Sequence, residues 1–190
     1  MHTGIKGVQE MKKDLTNSQL DRQNILNNNM ALEEIRNTSN IQGVWFEDKV
    51  YFTKNMVAEF FEVDIRTIER CVSANLPELE KNGYEIIKGT RLKGFIEAAS
   101  LFNAAGIDIG IISNKTTLLA IFDFKAFLNI AMLLVESENA RILRQAMLNI
   151  VIDLVNKKIG EQQNILIKEI KIFYILICRR MIIEENLRMH

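Results

Sequence analysis

Residues 53–73 read TKNMVAEFFEVDIRTIERCVS, two short helical patterns divided by a single break, and this stretch decides the fold. Val57, Ala58 and Phe61 fall on one side of the first pattern, and Val63, Ile68 and Cys71 on or entering the second. Apolar residues therefore meet where two helices must cross, with Ala58 as the close-contact position. Asp64 can accept a backbone hydrogen bond as the N-cap of the second helix, and Val63 before it can pack on Ile68 four residues past the cap. A helix beginning there turns Ile65, Arg66, Glu69, Arg70 and Ser73 outward, with Arg66 and Arg70 one turn apart. Such a face is what reading base edges or clamping phosphates in a major groove requires. A helix-turn-helix is expected, although a plain helical hairpin in a core has the same apolar pattern. One departure lies in the turn. Where this motif usually has glycine the chain has Glu62, so either the turn closes without a left-handed residue or its geometry differs.

Binding duplex DNA draws on Lys and Arg that displace counterions from phosphates. From Thr53 to Phe95, seven basic residues (Lys54, Arg66, Arg70, Lys81, Lys88, Arg91, Lys93) balance seven acidic ones (Glu59, Glu62, Asp64, Glu69, Glu78, Glu80, Glu85). The segment is neutral, but Lys88, Arg91 and Lys93 form a run with no acid among them. They are either phosphate anchors or a solvated edge. Over 190 residues the chain is 48% hydrophobic and 25% charged with zero formal net charge, enough for one good core or two small domains. That balance excludes a strongly basic coat protein, not a regulator.

Cys71 and Cys178 lie far apart and support neither a disulfide framework nor a metal site. Free thiols without a secretory signal pattern point to the cytoplasm. The two histidines, His2 and His190, stand at the extreme ends, so Ser-His and Cys-His catalysis and zinc chemistry lack candidates. No phosphate-cradling loop forms among Gly83, Gly89, Gly94, Gly106 and Gly110. No carboxylate pair sits in an apolar context that would separate two pKa values. An enzyme, a cofactor and a metal are therefore not expected.

Outward from the central stretch, residues 1–15 are read as a disordered leader. A helix is expected over 18–36, capped at Thr16, Asn17 or Ser18, with Leu20, Ile25, Leu32 and Ile35 inward and Asn27, Asn28 and Asn29 weakening its middle. Val44, Trp45 and Phe46, then Glu47, Asp48 and Lys49, then Val50, Tyr51 and Phe52 give a β-hairpin. Beyond Pro77 the helix ends near Asn82 and Gly83, and 84–92 suggests a second hairpin turning at Gly89, a wing carrying Lys88, Arg91 and Lys93. A helix over 95–105, an irregular segment over 106–116 and a buried strand over 118–122 follow. Asp123 then caps an apolar helix over 124–135. Ser137 caps the next, over 138–158, where Ala140, Leu143, Met147, Ile150 and Leu154 form a seam for another helix or a second subunit. Arg141, Arg144, Gln145, Asn149, Asp153 and Lys157 are placed on its wet side.

YFTKNMVAEFFEVDIRTIERCVS, NGYEIIKGTRLKGF and SNKTTLLAIFDFKAFLNIAMLLVESENARILRQAMLNIVIDLVNKK resemble the RhuM-type virulence-protein family, bacterial DNA-binding proteins often found near Fic or death-on-curing genes. The likeness runs from about Met11 to Gly160. It implies a bacterial or phage-derived regulator with an N-terminal DNA-binding segment, a C-terminal helical part and a Fic-type protein as a candidate partner. After Gly160 the likeness stops and the chain becomes dense in isoleucine. Lys168, Glu169, Lys171, Arg179 and Arg180 interrupt that tail, leaving too short an uncharged run to span a membrane. Read in another frame with AT-rich codons, 163–190 becomes a polar continuation of the kind the family carries, so the tail is expected to be a frameshift product and the chain truncated.

The expected fold is mainly α with a small β component, a winged helix-turn-helix followed by a helical hairpin. Its segments are a leader to 15, an N-terminal helix and linker over 16–41, the DNA-binding domain over 42–95, a dimerisation or partner domain over 96–160 and a divergent tail over 161–190. Arg66, Glu69 and Arg70 face double-stranded DNA, Thr67 and Lys54 hold its backbone, and Lys88, Arg91 and Lys93 anchor the wing. A homodimer would supply two such faces. An alternative is a protein-interaction module, antitoxin-like or antirepressor-like, with a vestigial helix-turn-helix and the Ala140–Leu154 seam as its working surface.

Overall fold

The computed structural model describes residues 15–39, 41–104 and 116–188, with side chains described except at 102–104 and 164–188. It is mainly helical, with one four-stranded antiparallel sheet of order β1-β2-β4-β3. The elements are α1 (Gln19–Leu26), α2 (Asn29–Thr38), β1 (Val44–Phe46), β2 (Lys49–Thr53), α3 (Lys54–Phe60), α4 (Ile65–Ala74), α5 (Leu76–Lys81), β3 (Tyr84–Lys88), α6 (Gly89–Ala104), β4 (Leu118–Asp123), α7 (Phe124–Leu133) and α8 (Glu138–Arg188). The chain divides into two compact units, one ending at Leu148 and the other beginning at Asn149 within α8.

The single helix expected over 18–36 is two helices. Ser18 caps the first, accepting the Asp21 N–H, and Asn28 caps the second, accepting the Ala31 N–H at 3.2 Å. The asparagine run ends one helix and starts the next, because a short side-chain amide competes for backbone donors. Leu20, expected inward, is exposed, and Arg22 takes the inward position beside Ile25 and Leu26. Of the expected leader only Leu15 is described, and it is buried; residues 1–14 lie outside the described residues.

β1 and β2 form the expected hairpin, with Phe46 opposite Lys49 and a two-residue turn. Glu47 and Asp48 both have positive φ, at 48° and 60°, the conformation whose twist matches paired strands. The second hairpin does not form. β3 pairs along its length with β4, Tyr84 opposite Phe122 and Lys88 opposite Leu118, and the chain enters α6 directly at Gly89. Gly89, with φ +60°, makes the left-handed step from strand to helix rather than a hairpin turn. The segment expected to be irregular lies, apart from Thr116, outside the described residues.

β4 also pairs with β2, Thr53 opposite Ile121, so residues beyond the expected boundary at 95 form a central strand of the same sheet. Because β2 and β3 both run antiparallel to β4, they are parallel to each other. Each feeds straight into a helix, so α3 and α6 start at the same end of the sheet.

Strand alternation puts Phe52 on one face and Phe46 and Tyr51 on the other. The Phe52 face is covered by α7, whose Phe127 stacks on Phe52 at 4.5 Å and on Phe61 at 5.1 Å. The opposite face is covered by α6, with Phe95 edge-on to Phe46 at 5.5 Å. α7 is the enclosed helix its composition predicts, from Phe124 to Met132 buried on nearly every side. Asp123 starts it, accepting the Ala126 N–H at 2.9 Å, as expected. Gly83 lies against Asp123, where a Cβ would fall 2.1 Å from its carboxylate carbon. In the α8 seam Ala140, Leu143 and Met147 are buried, and Ile150 and Leu154 half-buried. Among the described residues no helix is long and apolar enough to cross a membrane.

Candidate nucleic-acid interface

The two central helices form from local signals. Thr53 caps α3, accepting the Met56 N–H at 3.3 Å, and α3 closes through Phe61 and Val63, whose N–H groups donate to Val57 and Ala58. The turn, expected either to close without a left-handed residue or to differ in geometry, does neither; Glu62 itself is left-handed, with φ 51°, in the place where glycine is usual. An L-residue there costs roughly 1–2 kcal/mol. Asp64 then caps α4, accepting the Arg66 N–H at 2.8 Å.

The turn is held from α8. The Ser137 hydroxyl donates to the Phe61 carbonyl at 2.7 Å and accepts the Ala140 N–H at 3.0 Å, so one buried side chain closes α3 and opens α8. Asn139 donates its amide to the Phe60 carbonyl at 2.8 Å. These bonds occupy carbonyls that a helix end leaves without partners. Ser137 is legible in the sequence as a cap, but its second bond spans 76 residues.

Ile68 and Val72 are the buried side of α4, while Ile65, Arg66, Glu69, Arg70 and Ser73 are exposed as expected. Asp64, Arg66, Thr67, Glu69, Arg70, Ser73 and Ala74 line one open face. On it the Arg70 Nη2 donates to the Thr67 hydroxyl at 3.1 Å. Lys54, at the start of α3, joins it from the side, with its Nζ 2.6 Å from Glu69 Oε1. No ion pair to the Arg66 guanidinium occurs among the described residues.

α1 and α5 are tied together by a buried pair the sequence reading missed. Arg22 and Glu78 meet bidentately at 2.7 Å and are almost fully buried, and Arg22 also donates to the carbonyls of Leu15 and Thr16. The signal was present, since Arg22, Ile25 and Leu26 share one helical face. Burial pushes the nearby Cys71 thiol up to about 11, which leaves it uncharged and unreactive at neutral pH.

The remaining predicted basic residues are at the β3–α6 junction. Lys88 and Lys93 are exposed there. Arg91, expected as a phosphate anchor, instead forks onto Glu85, bonds Glu47 at the β1–β2 turn and reaches the Tyr51 hydroxyl at 3.4 Å. The Arg91 hydrogen bonds hold the Glu85 carboxyl below its usual range, while burial, then the Glu85 charge, raise the Tyr51 phenol. Arg91 is thus a staple between strand, hairpin and helix. Arg144, placed on the wet side of α8, is half-buried and donates to the carbonyls of Ala131 and Leu134, closing α7. Among the described residues no cluster of three or more His, Cys, Asp or Glu is arranged to hold a metal.

Comparison with protein-family models, with curated proteins and with solved structures finds no match for the chain.

Proposed function

We propose that this chain is a sequence-specific, non-enzymatic double-stranded-DNA-binding protein, a regulator of a bacterial or phage-derived locus of the class its RhuM-type resemblance implies. In this role α3 and α4 act as a helix-turn-helix, accompanied by the β-sheet, with α4 as the reading helix. The observation that carries it is the outward face of α4: Arg66 and Arg70 exposed one turn apart on a helix fixed from behind by Ile68 and Val72. A guanidinium there can fork onto the O6 and N7 of guanine, or onto a phosphate. Thr67 orients Arg70. Lys88 and Lys93 supply phosphate contacts at the sheet end from which α3 also departs, and Arg91, whose donors face two carboxylates, takes no part.

The full chain, incubated with genomic fragments that include the region upstream of its own gene, retains a subset of them, and retention falls steeply as salt rises. No retention at low salt would rule the proposal out. A second reading has one observation in its favour: Val135 and Ile142 are exposed at 72% and 54% on either side of Ser137 and Asn139, which hold the α3–α4 turn. A protein partner seated there, a Fic-type protein or a second copy, would act on the turn directly.

A further inference from the structure

Taking α4 as the reading helix, as proposed above, we infer that Glu69 determines its specificity, withholding Lys54 from phosphates until a cytosine amino group takes the place of the lysine. Glu69 is the sole acid within α4, IRTIERCVSA, and stands on the outward face one turn from Arg66 and one from Ser73. Its carboxylate can only accept hydrogen bonds. In a major groove lined by phosphates it is repelled unless it finds a donor, and the cytosine N4 amino group is the donor that carboxylates pair with there.

In the free protein that donor is Lys54, at 2.6 Å. Both side chains are substantially exposed, at 34% and 49%, so the pair is weak and exchangeable. Lys54 opens the first helix of the pair, the helix that crosses the DNA backbone in this motif. On a random sequence Glu69 keeps Lys54, and the face makes one phosphate contact fewer. On a site with cytosine opposite Glu69, the base amino group replaces the ammonium and Lys54 moves to the adjacent phosphate. Charge is conserved in the exchange and no proton moves.

The test compares the full-length wild type with Glu69→Gln, each alone and with Lys54→Met. The probes are a random-sequence duplex of about two helical turns and a duplex selected by the wild type from a randomised pool. Glu69→Gln is expected to tighten random-duplex binding on the order of tenfold at about 0.1 M salt and to steepen its logarithmic salt slope by about 0.9, one phosphate contact. Repeating the selection with Glu69→Gln should erase a cytosine preference at one position. With Lys54→Met present, Glu69→Gln should leave the slope unchanged. Unaltered random-duplex binding by Glu69→Gln, or a slope gain that persists with Lys54→Met, overturns the inference while leaving DNA binding intact. Absence of duplex binding by wild type and variant alike overturns both.

Discussion

Two arginine sites in this molecule use the same side chain to opposite ends. At the β3–α6 corner, Arg91 is half-buried and engaged by Glu47, Glu85 and Tyr51, so most of its hydrogen-bonding capacity is taken up by groups of the protein itself. On α4, Arg70 meets only a neutral hydroxyl among the described residues, and Arg66 has no described acid partner. A guanidinium already forked onto carboxylates has little left to offer a phosphate, because exchanging one anion for another gains almost nothing. A guanidinium facing solvent can gain a bidentate partner and release counterions. The contrast locates the candidate interface more sharply than the count of basic residues, which is even with the acids.

The largest effect should come from the exposed site. Replacing Arg66 and Arg70 together with alanine is expected to weaken binding to a selected duplex by about thirtyfold or more, at about 1–3 kcal/mol for each base-reading arginine. The urea midpoint should stay put, since neither side chain has a described structural partner beyond Thr67. Next is the support behind the turn. Ser137→Ala removes a helix cap and leaves the Phe61 carbonyl without its donor, a loss of about 2 kcal/mol by urea denaturation.

Arg91→Met is the converse of the α4 double variant, lowering stability by about 1 kcal/mol because its pairs are only partly shielded, and leaving DNA affinity unchanged. Its pH dependence has a definite sign. The folded-state pKa of Glu85 is depressed, so the stabilisation by Arg91 is fully present above the ordinary carboxylate value of 4.5 and is lost as pH falls through the lower folded value. The stability gap between wild type and Arg91→Met should therefore close below about pH 4.5, measured by denaturation at stepped pH. The smallest effect concerns Glu62. Glycine at this left-handed position should raise stability by about 0.5–1 kcal/mol, with the same duplex affinity.

The same two regions show what the sequence made legible. Thr53–Ala74 was readable because its signals are short-range: the Asp64 cap serves a residue two positions on, and the apolar spacing repeats within one turn. Asp123 and Ser137 were readable as caps for the same reason. The β3–α6 corner was not. Gly89 supplies a left-handed φ for a hairpin turn or a strand-to-helix step equally well, and what decides between them is a strand that begins at Leu118, beyond the whole of α6. Arg91 faces Glu47 across 44 residues, and Arg22 faces Glu78 across 56. Such pairings depend on where the sheet brings distant segments, which no local period encodes. Glu62 marks an intermediate case, since its place in the turn was legible but its left-handed φ was not.

The central claim is tested most directly by titrating a fluorescent duplex, selected from genomic fragments, with the full chain and with its Arg66→Ala/Arg70→Ala variant across a series of salt concentrations. The wild type should bind with an affinity that falls linearly in log salt with a slope of several phosphate contacts. The variant should lose at least about thirtyfold and show a shallower slope. A variant that binds the selected duplex as tightly as the wild type would contradict the assignment of α4 as the reading helix.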